Sequence, residues 1–207
     1  MALICGDIHG NYSKAKAFLE YKPEEQHIFT GDYFDAYVAT DDEIITTFKM
    51  IFNSDAIKLV GNHELHYLNN HHDYMRCSGR RNNPVFNHLM NAHKHSMQAS
   101  IIVDNYLITH AGLSKCHGRH FDTIEEADSW IQGEWDWYIN QPVCPPVLSK
   151  IFDIGSCRGG RQTIGGVFWC DYRYEKTDPR FNQIFGHSHT EKPKKIQMGK
   201  KGSYTNH

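Results

Sequence analysis

The chain has 207 residues, of which 40% are hydrophobic and 22% charged, and its formal net charge at pH 7 is −2. This composition is typical of a globular protein, and we expect residues 1–207 to form a single domain with a sizeable core. The small net charge means that no overall basic field indicates nucleic-acid binding. The apolar runs span only a few residues, which excludes a membrane-spanning helix.

The numbers of cysteines and histidines indicate the cellular compartment of the protein and the chemistry of its site. The 6 cysteines show no Cys-x-x-Cys spacing, and a chain of this length does not need disulfides. The N-terminus has neither a basic segment nor a long apolar segment, so it does not resemble a signal peptide. We therefore predict reduced thiols and a cytoplasmic location. The 15 histidines are the unusual feature, because imidazole is a common metal ligand and a near-neutral acid or base.

The first half of the chain alternates apolar runs with helical patterns. Strands are predicted at Ala2–Gly6, Gln26–Thr30 and Ala56–Val60. A helix capped by Ser13 extends to about Tyr21. The capping box Thr40–Glu43 opens a second helix, which extends to about Asn53. This alternation predicts an α/β domain with parallel strands.

The second half combines two helices with short strands. The predicted elements are a helix from Pro84 to about Gln98, a hairpin of Ser100–Val103 and Tyr106–Thr109, a helix opened by the capping box Thr123–Glu126, and strands at Val167–Cys170, Gln183–Phe185 and Lys194–Met198. Asp104-Asn105 is typical of a tight hairpin turn. Trp130, Trp135 and Trp137 lie on the last helix, and we interpret them as core packing.

Residues that commonly bind metals stand at or just past the ends of predicted strands. They are Asp7, Asp32, Asn62, His110 and His187. Loops at the carboxyl ends of strands in an open α/β sheet converge on one crevice. A single aspartate or asparagine after a strand is usually a turn residue. A turn role for each of the five residues separately is a poor explanation of the whole pattern. We therefore predict that these five side chains form one metal site.

The mixture of residue types fits a two-metal site that hydrolyses phosphate esters. Two cations roughly 3.5–4 Å apart require an anionic bridge, and Asp32 is the candidate carboxylate. A metal-bridging hydroxide would then attack phosphorus. His63 can protonate the leaving group as a general acid, with Asp35 holding it protonated and oriented.

Together these motifs resemble those of the calcineurin-like metallophosphoesterase superfamily. The motifs are Asp7-x-His9, Gly31-Asp32-x-x-Asp35, Gly61-Asn62-His63-Glu64, His110 at a strand end, and Gly186-His187-x-His189. The longer forms of the first three resemble the PPP branch, which contains serine/threonine protein phosphatases, their bacterial and phage relatives, and symmetrical diadenosine tetraphosphatases. The resemblance extends from residue 5 to residue 189. It implies a four-layer α/β/β/α sandwich of two mixed sheets.

The resemblance also implies a role for each matching residue. The implied ligands are Asp7, His9, Asp32 and His189 for the first metal, and Asp32, Asn62, His110 and His187 for the second. His63 and Asp35 would form the acid pair. The cofactor would be two divalent ions, with manganese expected in assays and iron, zinc or nickel compatible with the same ligands.

The sequence departs from the family pattern at two places. Protein phosphatases carry a phosphate-clamping arginine soon after the bridging motif, where Ala36 and Tyr37 stand here. Arg158 and Arg161 lie in a glycine-rich loop and are the candidate substitutes, since arginine binds phosphate in a bidentate manner. In addition, few residues follow His189, which indicates a compact or shortened second sheet.

Three functions are compatible with these residues. The leading one is hydrolysis of phosphate monoesters by PPP-like phosphoprotein phosphatase chemistry, with a phosphoprotein or a nucleotide as the phosphorylated substrate. The alternative is a nucleotide hydrolase of the symmetrical diadenosine tetraphosphatase or phosphodiesterase type. A non-catalytic metal-binding scaffold is disfavoured because the ligands and the acid pair are all retained. We expect the polar segment Leu65–Pro84, with Arg76, Arg80 and Arg81, and the Arg158 loop to select the substrate.

Overall fold

The computed structural model describes residues 1–36, 38–68, 83–143, 145, 147–192, 194–197 and 203–206. Tyr37 and most of the segment predicted to select the substrate, including its three arginines, lie outside these residues. The chain divides into two compact units. The first comprises Met1–Gln98 and a short stretch from Pro142, and the second comprises Ala99–Gln141 and resumes at Pro145. The single domain over residues 1–207 stays a prediction.

Three parallel strands form the sheet of the first unit. Its elements are β1 (Ala2–Cys5), α1 (Tyr12–Glu20), β2 (Gln26–Phe29), α2 (Asp41–Phe52), β3 (Ile57–Lys58), α3 (Asn62–Leu65) and α4 (Pro84–His93). The strand order is β1–β2–β3, and Ile28 of β2 pairs with Ile4 and Ile57. Because the strands are parallel neighbours, the loops after their carboxyl ends lie at one edge of the sheet.

Side-chain caps explain where the first two helices begin. The predicted capping box of α2 is confirmed, because the Thr40 amide donates to Glu43 Oε2 at 2.7 Å and the Glu43 amide donates to Thr40 Oγ1 at 3.3 Å. The prediction for α1 is wrong at its start. Asn11 is the cap instead of Ser13, because its side-chain oxygen accepts the Lys14 amide at 2.9 Å.

A mixed sheet and a separate strand pair form the second unit. Its elements are β4 (Ser100–Val103), β5 (Tyr106–Thr109), α5 (Lys115–Gly118), α6 (Ile124–Ile139), β6 (Gln183–Ile184), β7 (Lys194–Gln197) and β8 (Ser203–Asn206). β5 is antiparallel to β4 and parallel to β6, and β7 pairs with β8. The predicted hairpin is confirmed. Asp104 and Asn105 have φ of +48° and +63°, as a type I′ turn requires.

Three other predictions are corrected. Val167–Cys170 is a turn and not a strand, because the amides of Trp169 and Cys170 both donate to Gly166, at 2.9 and 2.8 Å. The helix from Pro84 ends at His93 and passes into a short 3-10 turn. Of the three tryptophans of α6, Trp135 is fully buried whereas Trp137 is 46% exposed. No helix in the described parts of the chain is long and apolar enough to cross a membrane.

The loops that follow β2 and β3 are in backbone contact. Gly31 has φ of +107°, and a Cβ atom there would lie 2.3 Å from the Gly61 nitrogen. A Cβ atom on Gly61 would lie 2.2 Å from Asp32 Oδ1. Two glycines therefore allow these loops to approach more closely than side chains would permit.

We predict that Gly31→Ala lowers the free energy of unfolding by more than about 2 kcal/mol, because backbone strain costs about 1–3 kcal/mol and the overlap adds to it. Gly133→Ala in α6 is the matched control. Its Cβ atom would have nothing within 4 Å, and a helical alanine should raise stability by about 0.5–1 kcal/mol. Urea unfolding measures both changes. A Gly31→Ala protein as stable as the wild type would show that the loops are not in contact.

Candidate active site

Three side chains of types that can bind a metal converge in the first unit. His9 follows β1, Asp32 follows β2, and His63 lies in the first turn of α3. One ligand atom from each lies within 4.8 Å of the other two. Asp32 Oδ2 is 3.7 Å from His9 Nε2 and 3.9 Å from His63 Nε2. Asp32 is buried, so its carboxylate faces the two imidazoles in a low-dielectric setting.

The hydrogen bond of His9 fixes which of its nitrogens can bind a metal. His9 Nδ1 lies 2.8 Å from the Phe34 carbonyl oxygen. A carbonyl oxygen can only accept, so in the neutral imidazole Nδ1 carries the proton and Nε2 has the lone pair. A neutral imidazole beside a carboxylate, with its second nitrogen bonded to the main chain, is a common metal-binding arrangement. This donor set therefore fits a divalent cation.

His63 lies in a different electrostatic environment. Its Nδ1 lies 2.7 Å from Asp35 Oδ2. Burial lowers the pKa of His63, but the charge of Asp32 and the hydrogen bond and charge of Asp35 outweigh burial and raise it to about 9. A protonated imidazole donates from both nitrogens and has no lone pair for a metal. This environment favours an acid role for His63, although it lies in the same cluster as His9.

The other predicted residues of the first unit flank this cluster. Asn62 is buried at the start of α3, directly before His63. Asp7 is partly exposed, and its carboxylate is not among the three groups that lie within 4.8 Å of one another. The Lys14 ammonium donates to the Asp7 carbonyl oxygen at 2.7 Å. This contact links the β1 loop to α1.

Glu64 is the residue whose role the sequence did not reveal. It is fully buried, and the implied site roles do not include it. Its Oε2 accepts the amides of Asp32 and Gly61 at 2.7 and 2.8 Å. Its Oε1 accepts those of Tyr33 and Phe34 at 2.7 and 3.3 Å. The Glu64 carboxylate thus ties the β2 loop to the β3 loop.

Several candidate site residues have left-handed backbone conformations. The φ angles of His9, Asp32 and Asp35 are +46°, +56° and +65°, and that of His187 is +68°. A left-handed residue other than glycine costs about 1–2 kcal/mol. Such strain concentrates at functional sites, where surrounding contacts impose the geometry. In the first unit, the amides bonded to Glu64 are among those contacts.

The second unit brings two more predicted ligands together. His110 follows β5 and is fully buried, and His187 lies shortly after β6. His110 Nε2 and His187 Nδ1 are 3.0 Å apart. Two nitrogens that bind one cation at about 2.1 Å and at a right angle would be about 3 Å apart. This pair therefore fits a shared metal ion. His189 is exposed, and its predicted role as a ligand stays a prediction.

Arg158 is held beside the His187 motif. Its Nε lies 3.0 Å from Asp171 Oδ2, and its Nη2 donates to Ser188 Oγ at 3.0 Å. Burial raises the pKa of Asp171, but hydrogen bonds from Arg173 and the charge of Arg158 outweigh burial and lower it. Asp171 is thus an anion that fixes Arg158. Arg161, in contrast, is exposed. The two candidate arginines therefore differ in their surroundings.

Comparisons with known proteins agree with these motifs. A profile of the calcineurin-like phosphoesterase family matches residues 2–191. The cold-active protein-tyrosine phosphatase of a psychrophilic Shewanella species is similar in structure, with a TM-score of 0.62 and 16% identity over 99% of this chain and 70% of that chain. Another structure, described as a cold-active protein tyrosine phosphatase, has a TM-score of 0.64 and 15% identity over 99% and 68% of the two chains. These likenesses confirm the predicted α/β fold.

We predict that Glu64→Gln lowers the free energy of unfolding by about 3 kcal/mol. A glutamine has one acceptor oxygen, so its NH₂ group would face two of the four amides, and each buried unpaired donor costs about 1–3 kcal/mol. Chemical denaturation measures the loss.

Glu126→Gln is the matched control for Glu64→Gln. Glu126 is likewise the third residue of a helix with a capping box, but it is exposed. Glutamine is accepted at that position, so the change should stay within about 0.5 kcal/mol. An equal loss of unfolding free energy in Glu64→Gln and Glu126→Gln would contradict the proposal that Glu64 holds the β2 and β3 loops together.

Proposed function

Because the chain belongs to the calcineurin-like phosphoesterase family and is a metal-dependent phosphoesterase, we propose that it hydrolyses phosphate monoesters by the chemistry of PPP-type phosphoprotein phosphatases. One observation carries this proposal. The acid pair of His63 and Asp35, joined at 2.7 Å, stands next to the metal-binding donors of His9 and Asp32. A phosphoesterase needs both an electrophilic centre for the phosphate and a proton for the leaving group.

The proposed metal ligands follow the family motifs. They are Asp7, His9, Asp32 and His189 for one ion, and Asp32, Asn62, His110 and His187 for the other. The hydrogen bond of His9 Nδ1 to the main chain, which leaves Nε2 as the nitrogen available to a metal, and the spacing of His110 and His187 support these assignments. Two divalent ions, when bound, supply a nucleophile from water and neutralise charge on the phosphoryl oxygens. Manganese is the ion we propose for assays, and iron, zinc and nickel suit the same donors.

His63 is the proposed general acid. Its Nε2–H donates a proton to the oxygen of the leaving group as the phosphorus–oxygen bond breaks. The Nδ1–H stays bonded to Asp35, so the imidazole keeps its orientation when it becomes neutral. This proton matters most for alkoxide leaving groups, such as those of phosphoserine and phosphothreonine, because they are strong bases.

Arg158 is the proposed phosphate-binding residue. A guanidinium has five N–H donors. One of them, on Nη2, donates to Ser188 Oγ, and Nε forms an ion pair with Asp171. The other N–H groups can bind phosphoryl oxygens. Arg158 would thus replace the phosphate-clamping arginine that this chain lacks after its bridging motif. Arg161 is exposed, and its role in binding phosphate is less well supported than that of Arg158.

A phosphorylated protein is the substrate class that we propose. The structurally similar Shewanella protein is described as a protein-tyrosine phosphatase, and the same site chemistry would act on any phosphate monoester of accessible geometry. Diadenosine tetraphosphate is the substrate that would point to the nucleotide hydrolase instead.

The proposal predicts the order of preference in a substrate panel. Manganese-loaded protein should hydrolyse p-nitrophenyl phosphate and phosphopeptides, with a higher kcat/KM for phosphopeptides than for diadenosine tetraphosphate. Release of inorganic phosphate measures the first two substrates, and chromatography of nucleotides measures the third. A higher kcat/KM for diadenosine tetraphosphate than for phosphopeptides would contradict the proposed substrate class and indicate a nucleotide hydrolase. Folded protein that acts on none of them with any divalent metal would refute the proposed function.

A further inference from the structure

Asp35 makes hydrogen bonds through both of its carboxylate oxygens. Oδ2 lies 2.7 Å from His63 Nδ1, and Oδ1 accepts the phenolic hydroxyl of Tyr67. Asp35 is 7% exposed and Tyr67 is fully buried. The three side chains therefore form a chain of hydrogen bonds that begins at Tyr67 and ends at the proposed general acid. None of the sequence motifs includes Tyr67.

The ring of Tyr67 is held by packing. Its centroid lies 5.0 Å from that of Phe34, in the loop after β2, and 5.6 Å from that of Phe86, in α4. The main chain is fixed as well, because the Tyr67 amide donates to the Glu64 carbonyl at 3.0 Å. The Asn91 side chain donates to the Tyr67 carbonyl at 3.3 Å. The hydroxyl thus reaches Asp35 from a rigid support.

The position of Tyr67 in the sequence explains this reach. Tyr67 stands four residues after His63, which is about one helical turn. The chain continues from α3 through a turn at these residues, so both side chains point toward the same carboxylate. The spacing His-x-x-x-Tyr is the signal in the sequence, although Asp35 lies far earlier in the chain.

The Tyr67 hydroxyl has a clear chemical consequence for Asp35. A carboxylate with one bonded oxygen can rotate and offer either oxygen to His63. With Oδ1 occupied by a phenol, only Oδ2 faces His63 Nδ1, and the carboxylate plane is fixed. The orientation of His63, and so the direction of its Nε2–H bond, then depends on Tyr67. Preorganisation of this kind determines how well a general acid works.

We infer that Tyr67 is a positioning residue that orients Asp35, and through it His63, for proton delivery to the leaving group. This inference rests on the proposed function, because it requires His63 to be the acid. Tyr67 does not contact substrate in this role. Its effect should therefore appear where the leaving group needs a proton and should be small where it does not.

Tyr67→Phe tests the inference, because it removes the hydroxyl and keeps the ring packing. With phenyl phosphate, whose leaving group is a poor one, kcat should fall about 10-fold, a part of the roughly 10²–10⁴-fold that a general acid contributes. With p-nitrophenyl phosphate, whose leaving group needs little assistance, kcat should change less than about two-fold. KM should change little for either substrate. In a His63→Asn background, Tyr67→Phe should have no further effect on phenyl phosphate, since coupled residues are not additive.

Tyr33→Phe is the matched control for the loss of a buried hydroxyl. Tyr33 is also fully buried, and its hydroxyl donates to the Leu59 carbonyl at 2.8 Å instead of to a carboxylate. This variant should lose stability by about as much as Tyr67→Phe, and its ratio of rates on the two substrates should match that of the wild type.

A second readout does not depend on activity. In the metal-free protein, the His63 Nδ1 proton should give a downfield NMR signal that moves upfield or broadens in Tyr67→Phe and stays in place in Tyr33→Phe.

The outcomes separate the inference from the proposed function. Equal loss on both substrates, an undiminished effect in the His63→Asn background, or an unmoved Nδ1 signal would overturn the role of Tyr67 and leave the proposed function intact. If the wild type hydrolyses neither substrate with any divalent metal, the proposed function fails, and the inference fails with it.

Discussion

One buried carboxylate determines the geometry of the first unit's site. Glu64 accepts four main-chain amides, from the loop after β2 and from the loop after β3. Asp32 stands in the first of these loops, and His63 stands next to Glu64 in the second. The Asp32 side chain adds a further contact, since its Oδ1 accepts the His63 amide at 3.1 Å. The close approach of the two loops therefore depends on acceptors from inside the site as well as on glycines.

Two neighbouring histidines have different chemistry because their second nitrogens have different partners. The His9 and His63 rings meet edge to face, with centroids 4.8 Å apart. His9 Nδ1 is bonded to a carbonyl, so the neutral form of this imidazole has its lone pair on Nε2. His63 is bonded to the Asp35 carboxylate, which favours the protonated form. The environment thus separates a candidate ligand from a candidate acid without any change of residue type.

Features that depend on local spacing could be predicted from the sequence. The capping boxes at Thr40 and Thr123 and the turn at Asp104-Asn105 follow from residues close together in the chain. Features that depend on distant partners could not. Three of the four amides bonded to Glu64 lie about 30 residues away in sequence, as does the carboxylate that Tyr67 reaches. Val167–Cys170 was predicted as a strand because a short apolar run looks alike in a strand and in a buried turn.

The different roles of the two histidines are tested most directly by the manganese content of His9→Asn and His63→Asn proteins, measured by plasma mass spectrometry after reconstitution and gel filtration. A ligand role for His9 and an acid role for His63 predict that His9→Asn loses bound manganese while His63→Asn retains the wild-type amount. Loss of manganese from His63→Asn, or full retention in His9→Asn, would contradict this assignment.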